Sequence, residues 1–193
     1  MRHWTGKEDG SAVRMEVEAN EFARLILMPP PPWRKEMAKF RDPDLSHIIT
    51  LAGLFDVSKE AAARTYAQYH NEPVALVVAN DGKIDRVYQD IGRFPRLGVR
   101  LGTPVPAGSL LFRAAKQLNH PSTISEARAE ICLESDWGKP LPGLYEQVFF
   151  QQNGFALIML WAELVDEEES DGWEDKTSKQ RLQERQSKWG HGR

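Results

Sequence analysis

A single cysteine, Cys132, excludes an intramolecular disulfide, and no other cysteine stands near it to form a thiolate metal cage. Long apolar runs are absent as well: the longest, Phe155 to Ala162, is far too short to cross a bilayer. Charge of one sign is missing, with 25 Lys and Arg against 28 Asp and Glu and a formal net charge of −3. That balance argues against a chain whose main work is to neutralise nucleic-acid phosphates or to coat an acidic membrane. A cleavable leader is not expected, because Met1-Arg2-His3-Trp4 runs straight into polar sequence. The expected compartment is therefore the cytoplasm, with no membrane partner. What the 193 residues do contain is 41% hydrophobic side chains, enough to build a sizeable core.

The periodicity of the first third is helical. From Ala12 to Met28, the residues Val13, Val17, Ala19, Phe22, Ala23, Ile26 and Leu27 recur three and four apart. Pro29 to Pro32 stop that helix by removing amide donors and pushing each preceding residue out of the helical region. Trp33 to Phe40 reads as a short helix or an irregular arm. Asp42-Pro43-Asp44 supplies a turn and an N-cap for Leu45 to Leu54, and Ser58 caps a further helix that runs to Tyr69 before Pro73. The last two helices, joined by Phe55-Asp56-Val57, have the spacing of a helix-turn-helix, so DNA is a partner to weigh. The second helix of the pair offers Lys59, Arg64 and Gln68 as contacts, with Glu60 in its first turn, and that is thin equipment for reading bases.

After Pro73 the period changes to two. Val74 to Val78 and Lys83 to Tyr88 flank Asn80-Asp81-Gly82, and Leu144 to Gln151 and Phe155 to Glu163 flank Gln152-Asn153-Gly154, two hairpin patterns. The continuous apolar content of Phe155 to Ala162 predicts a strand buried on both faces. Between the hairpins, Phe94 to Gly108 reads as loop, Ser109 to Leu118 as a short helix, and Glu126 to Ser135 as a strand carrying Cys132 as a small core residue. The Glu-rich start and Lys, Arg and Gln-rich end of 166–193 read as a charged, disordered tail with a helical tendency between Lys176 and Lys188.

Chemistry is concentrated on the first helix. Glu16 and Asn20 lie four apart and share a face, so a carboxylate able to ligate zinc is followed one turn later by a polar residue able to orient a neighbouring ligand. A solvated helix face shows the same pairing. The five histidines, His3, His47, His70, His120 and His191, are scattered singly.

The run Glu16-Val17-Glu18-Ala19-Asn20-Glu21-Phe22-Ala23, continued by Leu25-Ile26-Leu27-Met28-Pro29, resembles the block that follows the zinc helix in the ImmA/IrrE family of metallo-endopeptidases. Leu51-Ala52-Gly53-Leu54-Phe55-Asp56-Val57-Ser58, with Ala61, Ala62 and Arg64, resembles that family's next block, so the likeness covers about Glu16 to Tyr69. The resemblance implies that Glu16 is the third zinc ligand in the gluzincin manner, that Asn20 orients it, and that Glu18 is a substitute ligand. It implies zinc as cofactor, a transcriptional repressor as protein substrate, and peptide hydrolysis by metal-activated water. Such an enzyme needs H-E-x-x-H on a preceding helix for its other two ligands and its general base. This sequence contains no such motif, and no catalytic residue is identifiable in it. The expectation is the C-terminal part of a longer peptidase, inactive by itself, whose first helix leaves apolar surface uncovered; a short relative that has lost catalysis is the second explanation.

The predicted architecture is α+β. A helical part over residues 1–72 combines a gluzincin-like remnant with the helix-turn-helix-like pair, a mixed β-rich part covers 73–165, and the tail covers 166–193. The alternative function is a non-catalytic regulatory module that binds a repressor or DNA through the helical pair 45–69. A third is an interaction protein whose β-rich part holds a partner.

Overall fold

The computed structural model describes residues 8–135 and 140–163. Four helices come first: α1 (Glu8–Leu27), α2 (Pro30–Met37), α3 (Leu45–Leu54) and α4 (Lys59–Tyr69). The proline run ends α1 and also starts α2, where Pro30 to Pro32 occupy the first turn, whose amides have no intrahelical acceptor. Of the two readings of the segment from Trp33, a short helix or an irregular arm, the structure has the helix, which begins three residues earlier and ends at Met37. Asp44 caps α3 by accepting from the Ser46 amide at 2.8 Å, and Ser58 caps α4 by accepting from Ala61 at 3.1 Å.

The strands β1 (Val74–Asn80), β2 (Lys83–Gln89), β3 (Ser125–Ala127), β4 (Gly143–Phe150) and β5 (Phe155–Glu163) form one antiparallel sheet in the order β2-β1-β5-β4-β3. Both hairpins turn through two residues of positive φ, Asp81-Gly82 and Asn153-Gly154, as a turn matched to strand twist requires. The chain is α+β, as its sequence predicts, and β5 at the centre of the sheet is covered on both faces.

Alternation along the strands sends side chains into two cores. One face of the sheet sends Val74, Leu76, Leu157, Met159 and Trp161 against Trp33, Leu45, Ile48, Leu51 and Tyr66 of α2, α3 and α4. The other face packs Val77, Val148, Ile158 and Leu160 under the loops between β2 and β4, with Phe94, Leu110 and Leu133. One polar joint ties the first helices to the sheet. Buried Gln147 on β4 accepts from the Leu45 amide at 2.7 Å and donates to the Ser122 carbonyl at 3.0 Å and to Asp44 at 3.3 Å.

Two expected elements differ. The predicted strand Glu126 to Ser135 pairs only as β3, because its partner β4 begins at Gly143, one residue beyond the Ala127 pair with Leu144. The chain then curls into a short helix, α5 (Ala129–Cys132). The predicted helix Ser109 to Leu118 makes a single turn at Leu110–Phe112, since Leu118 and Asn119 are drawn alongside Phe150 by a bridge and a 3.2 Å hydrogen bond. Tertiary pairing overrides local propensity there. The predicted tail 166–193 lies outside the described residues. No described helix is long and apolar enough to cross a membrane.

His70 generates a prediction on stability. It is buried, its Nδ1 accepts from the Glu72 amide at 3.0 Å, and its ring lies 4.8 Å from that of Tyr66. Burial is the main force pushing its pKa down to about 4. The folded state therefore holds it neutral, and stability is complete above the unfolded pKa near 6.5 and drains away as pH falls from there to about 4. Urea unfolding of the native chain should lose about 3 kcal/mol across that window through this residue, and His70→Asn should flatten that part of the profile.

Candidate functional site

α1 is attached to the body by its last turns only. Arg24 and, just past the helix, Met28 are buried, while every residue from Arg14 to Asn20 is exposed. Met28 contacts the Thr65 hydroxyl on α4, and the Arg24 guanidinium lies 5.7 Å from the centre of the Tyr69 ring. Arg24 also donates through Nε to Glu21 at 2.9 Å and through Nη2 to the second oxygen of that carboxylate. The Arg24 bond holds Glu21 below the ordinary carboxylate range. The middle of α1 consequently projects beside α4 and β2.

Between these three elements is an open cleft of about 570 Å³, lined by Glu16, Asn20 and Arg24 from α1, Ser58, Glu60 and Arg64 from α4, and Arg86 and Tyr88 from β2. The two residues singled out in the sequence, Glu16 and Asn20, are thus brought to one wall of one cleft, both exposed. Glu16 makes no hydrogen bond or ion pair with the described residues, so its carboxylate is available to a ligand. Glu18, the substitute ligand, is exposed on α1 but does not line this cleft.

The opposite wall is organised by Glu60. It accepts from the Tyr88 hydroxyl at 2.6 Å and from Arg86. Burial raises the Glu60 pKa, but the bonds from Tyr88 and Arg86 outweigh it and hold the carboxylate below its ordinary value. Tyr88 is pushed up to about 12, first by burial and then by Glu60, so its hydroxyl stays protonated and donating. Arg64 is less engaged, with a 3.9 Å ion pair to Glu21, whose carboxylate Arg24 already holds. Nothing local signals Glu60, Arg86 and Tyr88: they lie 26 and 28 residues apart in sequence and meet only once β2 docks beside α4.

His3 and His191 lie outside the described residues, and the three described histidines do not line this cleft. His47 lies against the Phe40 ring at 4.0 Å and its Nδ1 is 3.2 Å from the Tyr66 hydroxyl; His70 is in the helical core, and His120 is exposed on a loop. Among the described residues no group of three or more His, Cys, Asp or Glu could hold a metal ion. One carboxylate does not fit zinc by itself, and no catalytic step is assigned through it. Cys132 is buried in the second core, where burial pushes its thiol up to about 11, far from a nucleophile's range. A larger cleft of about 810 Å³ lies at the hairpin-turn end of the sheet, around Phe112, Lys116, Leu118 and Phe155, and shares no residue with the first.

The helix pair α3 and α4 forms with the predicted boundaries. The residues offered to DNA, Lys59, Arg64 and Gln68, are exposed, but Arg64 opens onto clefts that Glu16, Glu21 and Glu60 also line. Lys59 sits 5.8 Å from the centre of the Phe149 ring. No protein-family model matches the chain, and no curated protein matches it significantly.

The cap of α4 sets the position of Glu60 and Arg64. Ser58→Ala should lower stability by about 1 kcal/mol, the usual cost of a lost N-cap, and leave the urea m-value unchanged. Equilibrium unfolding at neutral pH measures both.

Proposed function

We propose that this chain is part of a zinc metallo-endopeptidase of the ImmA/IrrE type, acting on a transcriptional repressor, with Glu16 as one metal ligand and Asn20 orienting it. The observation that carries the reading is an exposed Glu16, without a partner among the described residues, with Asn20 one turn further along the same wall of an open cleft. A carboxylate with a free lone pair and a polar neighbour is what a zinc site asks of its third ligand. The chain's own contribution is positional. α1 is held against α4 at Arg24, over the Tyr69 ring, and at Met28, against Thr65, and this fixes the direction in which Glu16 is presented. The two imidazoles and the general base belong to an H-E-x-x-H segment that this sequence does not contain.

The regulatory reading, in which the pair 45–69 binds a repressor or DNA without cutting it, has the exposed Lys59, Arg64 and Gln68 in its favour. The carboxylates of Glu21 and Glu60 beside Arg64 and Arg86 oppose a phosphate backbone there.

The test is metal content. The polypeptide extended in frame to include an H-E-x-x-H segment should hold one zinc per chain and cleave its repressor. Glu16→Ala should abolish stoichiometric zinc, and Asn20→Ala should weaken it about 10- to 100-fold. Zinc retained undiminished by Glu16→Ala in the extended chain would remove Glu16 from the site, and stoichiometric zinc in the 193-residue chain would show that its own residues complete one.

A further inference from the structure

The stretch between β2 and β3 carries charge of one sign. Residues 91–125 hold Arg93, Arg96, Arg100, Arg113 and Lys116 and neither Asp nor Glu, in a chain whose net charge is −3. Two of these cations are engaged early in the stretch: Arg93 donates to the His70 carbonyl at 2.6 Å, and Arg96 lies 3.5 Å from Glu134. Arg113 and Lys116 are exposed, and Lys116 has no ion pair among the described residues.

The same stretch holds large apolar side chains in water. Phe112 is 56% exposed, Leu118 55%, and Phe155 at the start of β5 37%. All three line the cleft of about 810 Å³ at the hairpin-turn end of the sheet, and so does Lys116. Large apolar groups gathered round one concavity, rather than scattered singly, mark a binding surface.

This wall is built in advance. Buried Glu146 on β4 accepts from the Ser109 hydroxyl and from the Leu110 amide at 2.8 Å, which fixes the near end of the wall. The Asn119 amide donates to the Phe150 carbonyl at 3.2 Å, which fixes the far end. A segment tied at both ends has little ordering left to lose on binding.

The chemistry of the cleft selects its occupant. Apolar side chains fill it, and an anion is wanted beside Lys116. A single-stranded nucleic acid would find Phe112 and Phe155 to stack on, but its phosphates recur at every step, and Asp81 lines the same cleft with its carboxylate over Gly154. A peptide places carboxylates only where its sequence has them.

We propose that this cleft docks an acidic, apolar segment of a partner protein, with large side chains among Phe112, Leu118 and Phe155 and a neighbouring carboxylate on Lys116. Arg113, on the same turn as Phe112, adds to the attraction. The cleft shares no residue with the one that Glu16 lines, so the inference stands apart from the zinc reading.

A phage-displayed library of random twelve-residue peptides, selected on the immobilised full chain, tests it. The recovered peptides should carry Asp or Glu close to Phe, Leu or Trp, and their fluorescein-labelled synthetic forms should bind saturably by anisotropy. Phe112→Ala and Lys116→Glu should each weaken that binding about fivefold or more, and 1 M NaCl should weaken it several-fold. Ile91→Ala, at an exposed apolar residue that does not line this cleft, should leave it unchanged. Phe112 and Lys116 are exposed, so both variants should fold, and urea unfolding curves that match the native chain check this. Recovery of no binding peptide, recovery of basic or acid-free peptides, or equal binding by native chain and variants would each overturn the proposal. A labelled twelve-nucleotide oligo-dT that binds more tightly than the best peptide and is weakened by Lys116→Glu would assign the cleft to nucleic acid, which also overturns it.

Discussion

The central strand β5 has no face to spare. Its residues alternate between a helical core on one side and a loop-covered core on the other, and it is hydrogen-bonded along both edges. The helical face of the sheet is fully taken by α2, α3 and α4, with Trp33, Tyr66 and Ile48 at zero exposure. Among the described residues, α1 therefore finds no free face of that core for its apolar side. It is held at its end by Arg24 and Met28, and the exposure of Glu16 and of Met15, Phe22 and Ile26 and the open cleft beside α4 and β2 are consistent with that exclusion.

The body that excludes α1 is held by burial and by a few well-placed polar contacts. Gln147 satisfies the first amide of α3 from inside the sheet, so the start of that helix is fixed to β4 rather than to solvent. On the other face buried Glu146 accepts from the Ser109 hydroxyl and from the Leu110 amide at 2.8 Å, and its pKa is raised by burial. The indole nitrogens of Trp33 and Trp161 are buried without a partner among the described residues. Each costs about 1–3 kcal/mol, less than the packing of an indole within a core returns.

Much of this was legible in residues with strong local preferences. Asp44 and Ser58 announce the starts of α3 and α4, and Asp81-Gly82 and Asn153-Gly154 announce both hairpins, because caps and positive-φ turns are chosen by the residues themselves. Unbroken apolar content marked β5 as buried on both faces. The losses are where distant partners decide. β3 ends when β4 runs out, and Leu118 is taken into the sheet's margin instead of a helix. At the cleft, Glu16 and Asn20 were visible as a same-face pair, whereas Glu60, Arg86 and Tyr88 are united by the docking of β2 beside α4 and leave no trace in spacing. The amphipathic period of α1 was also legible, but a period identifies an apolar side without saying what covers it.

In the function proposed, Glu16 serves a zinc site whose other two ligands come from an H-E-x-x-H segment. The most direct measurement is the genomic sequence immediately upstream of the Met1 codon, translated in the same frame. The account predicts H-E-x-x-H a few tens of residues before Glu16, on a segment of helical periodicity. An in-frame stop codon, with a ribosome-binding site placed for Met1, would contradict it and leave Glu16 as a carboxylate on a solvated helix.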